Sequence, residues 1–523
     1  MNTGDQVQAA AGGGAGAALA RFAAALAFVA VVAGWMWFTF GQVSLTLVAA
    51  GVIGVYMAMN IGANDVANNV GPAVGAKAMS LGRAVMIAAL FEAAGAIIAG
   101  GEVVGTIKSG IIDPARIADA QTFVWVMMAA LLAAALWLNL ATASGAPVST
   151  THSIVGGVLG AGVAAAGTGI ANWGKLVQIA ASWVVSPLLG GLIAALLLYV
   201  IKRRITYRDD IMTAAGRTVP RLLGLMGWSF ATYLLLKGVS QLVKVGFPMA
   251  VGLGFLVGLA VWWWTGLRIR ARLVSLQPGK DGVNTLFAIP LMFAAALLSF
   301  AHGSNDVANA IGPLAAINDA LLGQGIHDKA QVPLWIMLIG ALGISIGLLL
   351  YGPRLIRTVG GEITELDPMR AFAIAMSATL TVILASQLGL PVSTTHVAIG
   401  AVFGVGFLRE YLKANYQRIL DEIESHHLAQ QTEREEVEAF RREFEAAPMR
   451  RKTEMLRELK ARGKAGQSHI TRKERKSLRR FHRQQLVKRS VVLKVVAAWI
   501  ITVPASALLA AVAYFAIAGA MGG

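Results

Sequence analysis

The chain has 523 residues, of which 56% are hydrophobic and only 14% charged, with a mean hydropathy of +0.64. That composition excludes an ordinary soluble protein of this length and predicts a polytopic membrane protein. Cysteine is absent, which removes disulfides, thiolate metal sites and cysteine nucleophiles. The net charge of +17 points to membrane orientation and not to nucleic acid, because Lys and Arg sit in short loops between apolar runs and in one polar insert.

Residues 1–21 lack a basic region ahead of the first apolar run and read as a disordered tail, not a cleaved signal. A bilayer core of about 30 Å needs about 20 apolar residues per helix. Runs of that kind lie near 22–40, 45–62, 82–100, 122–141, 148–165, 179–201, 222–240, 247–266, 286–302, 333–351, 370–388, 393–408 and 491–519. Several are short or interrupted by glycine, so about twelve transmembrane segments are expected in an all-α fold. Loops 202–221 and 267–280 are strongly basic and two spans apart, which places both in the cytoplasm. Trp262, Trp263 and Trp264 precede Arg268 and suit either an interfacial belt or packing between helices. Parity then puts the N-terminus and residues 409–489 in the cytoplasm as well.

The informative feature is a duplication. GANDVANNVGP at 62–72 recurs as GSNDVANAIGP at 303–313, and GAPVSTTH at 145–152 recurs as GLPVSTTH at 389–396. Counting passages from the basic loops, the apolar run before Asp65 points inward and the run before Asp306 points outward. The repeats are therefore inverted copies with broken helices or re-entrant hairpins, the architecture of secondary transporters. The expected organisation is a tail (1–21), a first span with the first repeat (22–201), a linker with two spans (202–284), the second repeat (285–408), a charged insert (409–489) and a final helix (490–523).

In GANDVAN a glycine interrupts an apolar helix ahead of Asn64 and Asp65, with Asn305 and Asp306 in the second copy. A carboxylate at membrane depth is expensive and marks function. Asn68 and Asn309 fall one helical turn beyond the Asp, on the same face. Such oxygens suit a hard monovalent cation or a proton; the plain structural alternative is that Asp caps the following helix. In PVSTTH a proline stops one helix, and Ser149, Thr150, Thr151 and Ser393, Thr394, Thr395 open the next. Helix N-termini and hydroxyls together make an anion cradle without a full positive charge, with ordinary N-capping as the alternative. His152 and His396 suit substrate binding, proton carriage or a structural bond. His302 has no counterpart in the first copy, where Ile61 stands, and is set aside. Glu92 is the remaining deep acid, for ion coupling or packing.

These paired motifs resemble the signatures of the inorganic phosphate transporter (PiT) family, as found in bacterial members. The resemblance spans both halves and implies symport of inorganic phosphate by alternating access. It assigns phosphate to Ser149, Thr150, Thr151, Ser393, Thr394 and Thr395, and cation coupling to Asp65, Asn68, Asp306 and Asn309, with Glu92 at a matching acidic position. Where some sodium-coupled relatives carry a second-half Glu, this chain has Ala375, which tilts the expectation to H+ over Na+. It further implies carriage of phosphate as a complex with a divalent metal, in a bacterial inner membrane. No catalytic residue and no cofactor are expected. Sulfate is the rival substrate. An intramembrane hydrolase built on Ser149 or Ser393 with His152 or His396, or on Asp65 and Asp306 as a dyad, is the rival class, and a receptor without transport is a further one.

The insert 409–489 reads as a solvated helical domain. Its basic stretch TRKERKSLRRFHRQQ lies beside the membrane and suits anionic head groups; RNA binding lacks an aromatic platform. The sequence leaves a homo-oligomer open.

Overall fold

The structure is a computed structural model that describes residues 15–41, 44–144, 148–239, 243–322, 332–362, 366–428 and 489–521. Among these residues the regular structure is helical, apart from one isolated bridge between Ile112 and Ala171. Helix is what an apolar medium demands, because it satisfies every backbone group within its own segment. In chain order the helices are α1 (Ala15–Phe40), α2 (Leu45–Asn64), α3 (Val66–Gly75), α4 (Leu81–Ala99), α5 (Gly101–Ser109), α6 (Ala120–Ser144), α7 (Thr150–Ala166) and α8 (Trp173–Ile201). There follow α9 (Ile211–Lys237), α10 (Phe247–Leu273), α11 (Lys280–Asp306), α12 (Ala308–Leu321), α13 (Leu334–Glu362), α14 (Pro368–Gln387), α15 (Thr394–Leu428) and α16 (Arg489–Met521).

Among the described residues, eleven helices are long and apolar enough to cross a membrane. Two expected spans differ. Residues 148–165 form the 17-residue α7, and 393–408 are the start of α15, which continues to Leu428. Each is the returning arm of a hairpin. The first helix starts at Ala15, inside the stretch read as a tail. The remainder of the insert, 429–488, and with it the basic stretch, lies outside the described residues.

The hairpins open to opposite faces. Asp113 N–H donates to Ile170 O (2.9 Å) and Asn172 N–H to Ile111 O (3.0 Å), so the root of α6–α7 lies where α5 ends and α8 begins. Helix α8 then runs 29 residues, long enough at about 1.5 Å per residue to reach the other face. There Lys202 lies in electrostatic range of Lys280, Asp367, Arg370 and Arg409, and Lys280 Nζ meets Asp367 Oδ2 at 3.5 Å. These residues mark the root of α14–α15.

The two halves interlock. Lipid offers no hydrophobic drive between helices, so close backbone packing at small residues has to hold them. A Cβ on Gly62 would stand 1.9 Å from Ile344 O, and one on Gly303 would stand 2.2 Å from Glu92 O. Thus α2 packs on α13 of the other half, and α11 on α4. The hairpins obey the same exchange, because a Cβ on Gly156 or Gly160 would meet Val503 O or Ala507 O of α16, and one on Gly400 or Gly404 would meet Pro187 O or Gly191 O of α8. The same spacing separates Pro187 from Val503, Gly191 from Ala507 and Trp183 from Trp499. Helix α16 therefore matches α8 as the closing helix of the second repeat, carried past the insert.

The linker helices α9 and α10 pack on each other. Trp263 and Trp264 face outward, and the Arg268 guanidinium lies 5.3 Å from the Trp264 ring, which fits the interfacial belt.

Candidate functional site

The repeated motifs meet at the centre of this interlocked bundle. Gly62 does not interrupt its helix, contrary to the sequence expectation. It lies within α2, and its bare Cα permits the close approach to α13. The discontinuity falls at Asp65, whose backbone stays right-handed helical (φ −86°, ψ −35°) between α2 and α3. In the second copy it falls at Val307, between α11 and α12. Side-chain capping by the Asp does not account for the motif, since Asp65 makes no side-chain cap bond to α3.

Asp65 and Asp306 are each 1% exposed, and their partners come from the hairpin tips. Thr150 Oγ1 donates to Asp65 Oδ2 (2.6 Å) and Thr394 Oγ1 to Asp306 Oδ2 (2.8 Å), each within its own half. Thr395 Oγ1 crosses between halves to Asp65 Oδ1 (3.0 Å). The asparagines also cross. Asn68 Nδ2 donates to Thr395 Oγ1 (2.9 Å), and Asn309 Nδ2 to Thr150 and Thr151 Oγ1, both at 3.1 Å. Thr151 Oγ1 donates to Val392 O (3.2 Å).

Asn64 and Asn305 brace the tips. In the amide orientation that satisfies every partner, Asn64 Nδ2 donates to Val148 O (3.2 Å) and Asp65 Oδ1 (3.1 Å) while its oxygen accepts from Thr142. Asn305 repeats this with Val392 O, Asp306 Oδ1 and Ser386. Ser149 and Ser393 act as N-caps, accepting from the backbone N–H of His152 (3.1 Å) and His396 (3.2 Å).

The histidine rings do not reach those serines. His152 and His396 meet edge to face, centroids 4.4 Å apart, between Trp183 at 3.8 Å and Trp499 at 3.6 Å. Trp183 Nε1 also donates to Pro391 O (3.1 Å), so this aromatic row clasps both tips where the halves meet. The Ser–His pair that a hydrolase needs is not formed.

Sequence reasoning missed His302 and Asn69. His302 Nδ1 lies 2.6 Å from Glu92 Oε2, and Nε2 lies 3.0 Å from Asp306 Oδ2, one helical turn away. Asn69 Nδ2 donates to the other Glu92 oxygen (2.8 Å). Glu92 and His302 are fully buried. One donor atom each from Asp65, His302 and Asp306 lie within 4.8 Å of one another, a group able to hold a cation. The signal available was two polar residues in apolar helices, neither of them duplicated in the other half.

Inverted halves, interlocked hairpins and a buried carboxylate–hydroxyl centre define a membrane transporter with an inverted repeat. Residues 61–510 match the phosphate transporter family (PHO4), and the chain belongs to that family. It is 51% identical over 511 residues to a Helicobacter pylori J99 protein named "Putative phosphate permease", with 95% of each chain covered. It is 41% identical to a protein of the same name from Chlamydia trachomatis, over 72% of this chain and 93% of that one. A solved structure, "The sodium-dependent phosphate transporter", matches with a TM-score of 0.73 and 30% identity, over 91% of this chain and 99% of that one.

Proposed function

We propose that the chain is a symporter that moves inorganic phosphate across a bacterial inner membrane by alternating access, with H+ as the coupling ion and the basic loops in the cytoplasm. The observation that carries this reading is a shared set of donors. Thr150, Thr394 and Thr395 give their hydroxyl protons to Asp65 and Asp306, and a phosphate held between the hairpin tips needs the same hydroxyls. A cation on the carboxylates releases those donors to phosphate, and phosphate on the hydroxyls leaves the carboxylates to the cation. Each ligand favours the other by the same coupling free energy.

The Glu92–His302–Asp306 chain supports the proton, since it joins three proton-accepting groups at the one site, and so does Ala375 in place of an acid. Na+ is the second reading, favoured by the sodium-dependent structural neighbour. Residues 149–151 and 393–395 contain no cationic side chain, which supports carriage of phosphate as a neutral complex with a divalent metal. Membership of a phosphate transporter family favours phosphate over sulfate.

Uptake of labelled phosphate by cells expressing the chain, with sulfate in excess and with a chelator, tests this reading. Uptake indifferent to sulfate and reduced by the chelator is expected. Uptake no greater than in control cells contradicts it.

A further inference from the structure

The linker helices α9 and α10 have no place in the inverted repeat, yet α9 reaches the second motif. Tyr233, 1% exposed on α9, meets Ser304 with its hydroxyl. Ser304 Oγ lies 3.0 Å from Ala99 O and donates to it. Serine has one hydroxyl proton, so with that proton on Ala99 the Tyr233 hydroxyl is the donor to Ser304. The chain of donation runs from Tyr233 to Ser304 to Ala99, and all three groups are buried.

Its position matters. Ala99 is the last residue of α4, where that helix gives way to α5 at Gly100 and Gly101. Ser304 stands one residue before Asn305 and two before Asp306. The Tyr233 and Phe230 rings both pack edge-on against Phe300, at 6.3 and 5.2 Å. Phe300 O is the carbonyl against which Gly95 of α4 is packed. Tyr233 thus packs its ring on Phe300 and sets its hydroxyl on Ser304, two residues to either side of His302 on α11, and the hydroxyl reaches α4 through Ser304. In the first half the position of Ser304 is Ala63, which has no hydroxyl to bond.

We propose that Tyr233, acting through Ser304, is a positioning residue that orients Asp306 for the coupling cation. The inference rests on the reading of Asp306 as a coupling residue. The linker helix pre-organises one of the two Asp residues, so loss of its hydroxyl weakens cation coupling while leaving the phosphate cradle intact.

The test is phosphate uptake by Tyr233→Phe, Ser304→Ala and the double variant in proteoliposomes, titrated with the coupling cation, alongside the thermal unfolding of each. Tyr233→Phe keeps the ring on Phe300. Its half-saturating cation concentration should rise about fivefold, the scale of one buried hydrogen bond, with Vmax and the phosphate KM close to wild type. The double variant should match the worse single, because both remove one chain of donation. Wild-type cation dependence in Tyr233→Phe, additive singles, or a lowered Tm with unchanged cation dependence would each overturn the proposal. If wild-type uptake ignores the cation altogether, the coupling reading fails instead, a result the same titration shows separately.

Discussion

The two halves share a backbone and differ in chemistry where they touch. At the contact of α2 with α13, Gly62 faces Ile344 and Ile61 precedes it; at the contact of α11 with α4, Gly303 faces Glu92 and His302 precedes it. Both contacts are equally close, but one is apolar and the other carries a buried acid, an imidazole and, through Asn69 and Ser304, a wider polar network. Inverted symmetry needs only the close packing. The polar residues are an addition to one side, and that locates specialisation in the second motif and not in the fold.

The largest expected effect comes from breaking that addition. His302→Ile copies the first half and leaves Glu92 buried with Asn69 alone and no imidazole opposite it, a change worth about 3–5 kcal/mol of stability. Replacing both members, Glu92→Ile with His302→Ile, should restore most of the lost stability while uptake stays low, as thermal unfolding and transport measured together will show. Recovery of both stability and uptake would mean that the asymmetry is idle.

Next come the hydroxyls shared by the halves. Thr150→Val and Thr394→Val each remove one donor to a carboxylate, worth about 1.5–3 kcal/mol. Half-saturation for phosphate or for the cation should shift by roughly tenfold to a hundredfold in each, and similarly in both halves. A shift confined to one half would show that the cradle too is asymmetric.

Backbone symmetry predicts a matched pair of smaller losses. Gly62→Ala and Gly303→Ala drive a methyl into a facing carbonyl, and overpacking of this kind costs about 1–3 kcal/mol or more. The two variants should melt within a few degrees of each other.

The smallest effect lies at a hairpin root. Asp119 caps α6 by accepting from Thr122 N–H (2.8 Å), as Asp367 caps α14 by accepting from Arg370 N–H (3.0 Å). The bonds from Thr122 hold the exposed Asp119 carboxyl below its ordinary range. A depressed folded pKa gives stability that is present above the unfolded value of about 4 and lost as pH falls through the folded one. Asp119→Ala should cost about 0.5 kcal/mol near neutral pH and less in acid, measured by unfolding at both.

Much of this was legible in the residues. Two copies of an eleven-residue motif fixed the inverted repeat, and the depth of Asp65 and Asp306 in apolar runs marked the centre. Pairing across halves was not legible, because which Thr meets which Asn depends on the exchange of α7 onto α16 and of α15 onto α8. Helix α16 escaped recognition as a repeat element since the insert separates it from α15. Gly62 and Gly303 looked like helix breaks because glycine serves both ends, and only the facing carbonyl tells a close contact from a discontinuity. His302 was not legible as a site residue because it has no duplicate in the first half, where Ile61 stands.

The central claim is that a cation on Asp65 and Asp306 frees the threonine hydroxyls for phosphate, so that the two travel together. Phosphate uptake into proteoliposomes under separately imposed H+ and Na+ gradients, with wild type and Asp306→Asn side by side, tests it most directly. The account predicts accumulation driven by an inward H+ gradient in the wild type and none in a folded Asp306→Asn. Accumulation of phosphate by Asp306→Asn equal to wild type, or wild-type flux indifferent to both gradients, would contradict it.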